Sequence, residues 1–110
     1  MSSDFRDSAK QPARGDVEAL AGPTLLEFGT SWCGHCRAAQ PLIGAALQAH
    51  PGVRHLKIED GSGRPLGRSF GVKLWPTLVF LADGREVARL VRPREQQPIE
   101  AALDAITRAS

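Results

Sequence analysis

Two cysteines three residues apart, Cys33 and Cys36, are the only ones in the 110-residue chain. A bridge between them closes so short a loop that it removes little entropy from the unfolded chain, so structural cross-linking is a poor reason for the pair. Close paired thiols point instead to redox exchange or to a metal. Structural zinc wants four ligands, and the three histidines, His35, His50 and His55, stand at no finger-like spacing from the cysteines. The reading is therefore redox exchange, with no metal and no other cofactor, since the thiols themselves carry the electrons.

The pair lies in Trp32-Cys33-Gly34-His35-Cys36, after an apolar run and before a helical pattern. A thiol at the start of a helix meets free backbone N–H groups and the positive end of the helix dipole, and both favour the reactive thiolate. That assigns Cys33 as nucleophile and Cys36, one turn along, as the resolving thiol. Gly34 leaves the turn unobstructed. An imidazolium at His35 stabilises the thiolate against the disulfide and makes the pair more oxidising.

The elements that must position these thiols follow from periodicity. Asp16 is expected to cap a short helix with Val17 and Leu20 on one side, ended by Gly22-Pro23. Thr24 to Phe28 reads as a buried strand, with Glu27 inside it. After Cys33, the apolar positions Ala38/Ala39, Leu42/Ile43 and Ala46/Leu47 recur every four residues, the mark of a helix face. Pro41 should kink that helix, and Pro51-Gly52 closes it. Val53 to Glu59 fits a strand, Asp60 to Gly63 a flexible loop, and Pro65 to Phe70 a short helix. Thr77 to Ala82 has the continuous apolar character of a central strand covered on both faces. Asp83-Gly84 is a hairpin turn into Glu86 to Val91. Glu95 to Arg108 is an amphipathic helix with Ile99, Leu103 and Ile106 inward. This order implies an α/β fold with a mixed central sheet sandwiched by helices. One domain spans residues 14–110, after a flexible lead-in of residues 1–13.

Composition narrows the partners. Fourteen basic against twelve acidic residues give a net charge of +2, too small to argue for nucleic acid. No apolar run nears the roughly 18 residues of a membrane span. Met1 to Gly15 lacks a signal-peptide core, so the expected location is the cytoplasm. No large exposed apolar stripe is apparent, which suggests a monomer. Gly61-Ser62-Gly63 is no phosphate loop, since no lysine and helix follow at the needed spacing.

From about Val17 onward the sequence resembles the thioredoxin family. The resemblance rests on Trp-Cys-Gly-X-Cys after a strand, on Pro41 five residues beyond Cys36, on Trp75-Pro76-Thr77 before the apolar strand, and on Glu27. It implies the thioredoxin fold, with the Trp75–Pro76 bond cis and facing the cysteines. The backbone of Trp75 would then pair with an extended substrate segment. It also implies that Glu27 is the buried acid behind Cys36, where desolvation disfavours the charged form and the carboxyl can carry the Cys36 proton. Four features depart from the family pattern. Gly29 stands where a tryptophan is common, and the loop from Asp60 to Arg64 is about two residues longer. Trp75 replaces a small aliphatic residue, and Arg92 falls where a glycine usually faces the substrate.

Cys-Gly-His-Cys is the motif of protein disulfide isomerases rather than of typical thioredoxins. Potentials for those two are about −180 and about −270 mV, and an intermediate value of about −200 to −250 mV is expected here. In a reducing cytosol that makes the chain a reductase of protein disulfides, contributing to redox homeostasis. Its partners would be disulfide-containing proteins and a thioredoxin-reductase-like electron donor using flavin. The alternatives are an oxidase or isomerase in an oxidising compartment, and a binding module that uses the groove beside Pro76 without turnover.

Overall fold

Alternation along the two central strands decides which helices lie on which face of the sheet. In a computed structural model, which describes residues 11–110, the first of these strands is β1 (Pro23–Gly29) and the second is β3 (Thr77–Ala82). The remaining strands are β2 (Arg54–Glu59) and β4 (Arg85–Val91), and the four pair in the order β2-β1-β3-β4. β1 is parallel to β2 and antiparallel to β3, and β3 is antiparallel to β4. The parallel pair requires a crossover, supplied by helix α2 (Gly34–Gln48).

Leu25, Leu78, Phe80 and Ala82 face α2 and the C-terminal helix α4 (Gln96–Ala109), packing with Ala39, Ile43, Ala46, Ile99, Leu103 and Ile106. Leu26, Phe28, Ile58, Val79 and Leu81 face the other way, against Val17 of α1 (Arg14–Glu18) and Leu66 of α3 (Pro65–Ser69). All six residues of β3 are buried, as their uninterrupted apolar run predicts. The α/β sandwich with a mixed sheet is as expected. No helix among the described residues is long and apolar enough to cross a membrane.

One local expectation changes, at the start of α1. Asp16 lies inside α1 rather than before it: Ala13 is the N-cap, and its backbone N–H donates to the Asp16 carboxylate at 3.0 Å. The carboxylate caps the helix by reaching back, as in half of a capping box. Residues 1–10 of the expected lead-in lie outside the described residues. In its last part the Gln11 amide donates to the Glu59 carbonyl at 2.7 Å. α2 runs through Pro41 as one helix. The loop after β2 is tied down by the Asp60 N–H, which donates to the Gly29 carbonyl at 3.0 Å.

The hairpin uses Asp83 (φ 50°) and Gly84 (φ 81°), the left-handed pair that a two-residue turn needs. Gly84 is required twice, since a Cβ there would sit 2.0 Å from the Glu18 carbonyl oxygen. His50 joins α2 to α4: Nδ1 is 2.9 Å from the Ala46 carbonyl and Nε2 is 2.7 Å from Asp104 Oδ1. Two acceptors suit the doubly protonated ring, and the backbone carbonyl followed by the carboxylate raises its pKa above the usual histidine value.

Candidate active site

β1 ends at Gly29, and the chain turns through Thr30 to Trp32 before α2 begins. Cys33 is the N-cap of α2, in extended conformation, and its sulfur accepts the Cys36 N–H at 3.3 Å. The first intrahelical bond closes from the Arg37 N–H to the Cys33 carbonyl at 3.0 Å. The nucleophile candidate thus occupies the position where an N-cap acceptor is normally found. Negative charge on that sulfur is stabilised by the N–H and by the helix dipole.

The two thiols, both free, differ in surroundings. Cys33 is 8 % exposed and Cys36 only 1 %. The Cys36 thiol is pushed up to about 12, first by burial and then by its hydrogen bond to Cys33; a backbone bond from Thr30 opposes this, and the charges of Cys33 and Glu27 add smaller upward contributions. At neutral pH Cys36 is therefore a thiol that needs a base before it can act as a nucleophile.

Glu27 is fully buried, as the resemblance implies, but its surroundings are polar. One carboxylate oxygen lies 2.7 Å from His55 Nε2 and the other accepts Gln40 Nε2 at 2.8 Å. The same Gln40 nitrogen donates to the Cys36 carbonyl at 2.9 Å, and Gln40 Oε1 accepts from Lys57 Nζ at 2.7 Å. These contacts fix the orientation of the amide, because a flip would set its oxygen against two acceptors. Both Glu27 oxygens thus have hydrogen-bond partners inside the core, which offsets the cost of burying the side chain.

Sequence reading missed Gln40, His55 and Lys57. They come from α2 and β2, and the parallel register sets Lys57 beside Glu27. One signal was present: His55 and Lys57 alternate with Leu56 and Ile58, which puts two basic residues on the α2 side of a strand. His50 and His55, weighed above as metal ligands, are each committed to a carboxylate.

Trp75–Pro76 is cis. The Trp75 ring meets that of Trp32 edge-on, with centroids 5.7 Å apart, and its indole N–H donates to Asp60 at 2.8 Å. Trp32 is 69 % exposed. Arg92 has φ 51°; its N–H donates to the Pro76 carbonyl at 2.9 Å and its Nε to the Trp75 carbonyl at 2.8 Å. Arg92 therefore braces the Pro76 turn and already uses an acceptor expected to serve the substrate. Gly34 opens α2, and a Cβ there would meet nothing. His35 follows it on the first turn, exposed to solvent.

The thioredoxin family matches residues 9–105. Thioredoxin 2 from Pseudomonas aeruginosa PAO1, solved in its reduced form, is 55 % identical with full coverage of both chains and a TM-score of 0.86. A thioredoxin from Chlamydia muridarum is 36 % identical over 72 % of this chain and 78 % of its own. Thioredoxin H-type 1 from Nicotiana tabacum is 32 % identical over 66 % of this chain, which spans 58 % of the tobacco protein. With its cysteine pair at the head of α2 and its sheet in the same arrangement, the chain belongs to the thioredoxin family of thiol–disulfide oxidoreductases.

Proposed function

We propose that the chain reduces disulfide bonds in proteins by cycling Cys33 and Cys36 between dithiol and disulfide. The observation that carries this reading is the inequality of the two thiols: Cys33 is at the helix cap, while Cys36 is buried and pushed up to about 12. The Cys33 thiolate attacks one sulfur of a substrate disulfide. The substrate S–S bond breaks, a mixed disulfide forms, and the displaced thiolate takes a proton from water. Cys36 then gives its proton to Glu27 and attacks Cys33 Sγ. The bond from Cys33 to the substrate breaks, the second substrate thiolate leaves and is protonated, and the protein is left as a disulfide. Two electrons have passed to the substrate.

Burial keeps Cys36 from starting the reaction, so the order of attack is fixed. Glu27 is held for its role by His55 and Gln40. Trp32, Leu74 and Val91 are exposed apolar side chains, and Leu74 and Val91 adjoin the Pro76 turn in sequence or register. They supply an apolar surface on which an unfolded or flexible segment can dock, with the Trp75 backbone and Pro76 as its pairing edge. His35 sets the potential from the first turn of α2, and Gly34 keeps the approach open. A flavin-dependent, thioredoxin-reductase-like donor restores the dithiol, and the protein works as a monomer in the cytoplasm.

The test is a pair of variants. Cys36→Ser accumulates mixed disulfides with substrate proteins that dithiothreitol releases, and Cys33→Ser is inactive in insulin reduction. Undiminished insulin reduction by Cys33→Ser overturns the assignment.

A further inference from the structure

The ring of Trp75 forms one wall of a cleft of about 540 Å³ that the thiol chemistry does not use. The loop after β2, α3 and the segment following it complete the cleft, bringing Arg64, Arg68 and Lys73 respectively to its lining. Asp60 is the one acidic side chain among the described lining residues, and it is committed. Its carboxylate accepts the Trp75 indole N–H at 2.8 Å and lies against Gly67, where a Cβ would meet Oδ1 at 2.1 Å. Arg64 is bridged to Glu59 at 3.1 Å. Arg68 and Lys73 are exposed, and no acidic side chain among the described residues pairs with either.

Isolated surface cations usually mean only a solvated face. Here Arg68 and Lys73 converge with Arg64 on a concavity instead, three cations against the one carboxylate of Asp60 in the lining, and an excess of one sign over concave walls raises the local concentration of the opposite charge. The cleft also shares a residue with the proposed docking edge. An extended segment advances about 3.3 Å per residue, so a side chain roughly three residues from one paired with Trp75 travels about 10 Å and clears a single indole ring.

We propose that this cleft is an accessory subsite for acidic side chains of the disulfide-bearing polypeptide, aspartate or glutamate placed a few residues from the attacked cysteine. Arg68 and Lys73 take the carboxylate, while the Trp75 ring packs on the aliphatic part of the same side chain. The site thus selects, among protein disulfides, those flanked by acidic sequence. This rests on the reading of Trp75–Pro76 as the docking edge.

The test uses the full reduced chain and three synthetic peptides with one disulfide each, identical except that three residues on one flank are glutamates, glutamines or lysines. Single-turnover reduction is followed by tryptophan fluorescence at low and at moderate salt. The expected result is a second-order rate constant about five- to tenfold higher for the glutamate peptide than for the glutamine peptide at low salt, shrinking as salt rises. The double variant Arg68→Glu/Lys73→Glu abolishes or inverts this preference and leaves the glutamine peptide within twofold. Both substituted residues are exposed, and an unchanged circular dichroism spectrum confirms folding. Equal rates for the three peptides, a preference that survives in the double variant, or equal slowing of every peptide overturns the subsite while leaving the oxidoreductase reading intact. Failure to reduce any of the three overturns the docking reading, and the subsite with it.

Discussion

Removing His55 while Glu27 remains leaves a carboxylate deep in the protein short of one donor. Glu27 has no exposed surface and the His55 side chain is 14 % exposed, with 2.7 Å between them. A hydrogen bond to a charged group contributes about 1.5–3 kcal/mol, and burial this deep leaves little water to replace it. His55→Ala should therefore cost about 2 kcal/mol, roughly 10 °C in midpoint for a domain of this size. Glu27→Leu removes the charge that needed the donor, so His55→Ala made on top of it should cost much less. The four proteins of this double-mutant cycle, reduced and unfolded in urea at pH 7, should give a coupling of about 1.5–3 kcal/mol. Any cost of leaving Lys57 beside a leucine appears in both arms and cancels. A coupling below about 0.5 kcal/mol, the scatter seen for independent sites, refutes the claim that His55 holds Glu27.

Three further outcomes are expected. The raised pKa of Cys36 means the native state keeps a proton that the unfolded chain releases, so stability must fall as pH rises. The reduced protein should lose stability between about pH 9 and about pH 12, and urea midpoints for Cys36→Ser should decline less over that window. Arg92→Gly frees the Trp75 carbonyl and suits the positive φ; reduction of a neutral peptide disulfide should quicken severalfold, and a slowing would make Arg92 a substrate contact rather than a brace. His35→Pro should move the potential of the pair toward that of thioredoxin, by some tens of the roughly 90 mV between the two motif types, measured by equilibration with glutathione. No change would show that His35 has no part in tuning.

The redox motif and the succession of helices and strands were legible because each is written in neighbouring residues, thiols three apart or a period of two or four, while the cis Pro76 turn was implied by the family resemblance. The partners of Glu27 were not, because Gln40, His55 and Lys57 lie 13, 28 and 17 residues apart along their hydrogen-bonded pairs, and only the packing of α2 over β1 and β2 unites them. Glu27 inside an apolar strand looked like a desolvated acid for the same reason. The double demand on Gly84 was equally hidden, since Glu18 approaches it through the tertiary fold. The Asp16 misplacement was of another kind: Asp serves at the cap and also at the third helical position, and α1 gives a sequence reader only five residues to tell them apart.

Gln40 bears on whether this chemistry can be transplanted. A five-residue loop grafted from Trp32 to Cys36 onto a foreign strand–helix junction would bring the nucleophile with its N–H donor. It would bring neither the Glu27 carboxylate proposed to take the Cys36 proton nor the side chains that hold it, since these hang from β1, from α2 four residues beyond the second thiol, and from β2. Such a graft should capture disulfides readily and release them slowly, behaving as a covalent trap rather than a turnover catalyst. Transferring turnover requires the residues at 27, 40, 55 and 57 to travel together with the loop, so the smallest portable unit is the β1–α2–β2 crossover.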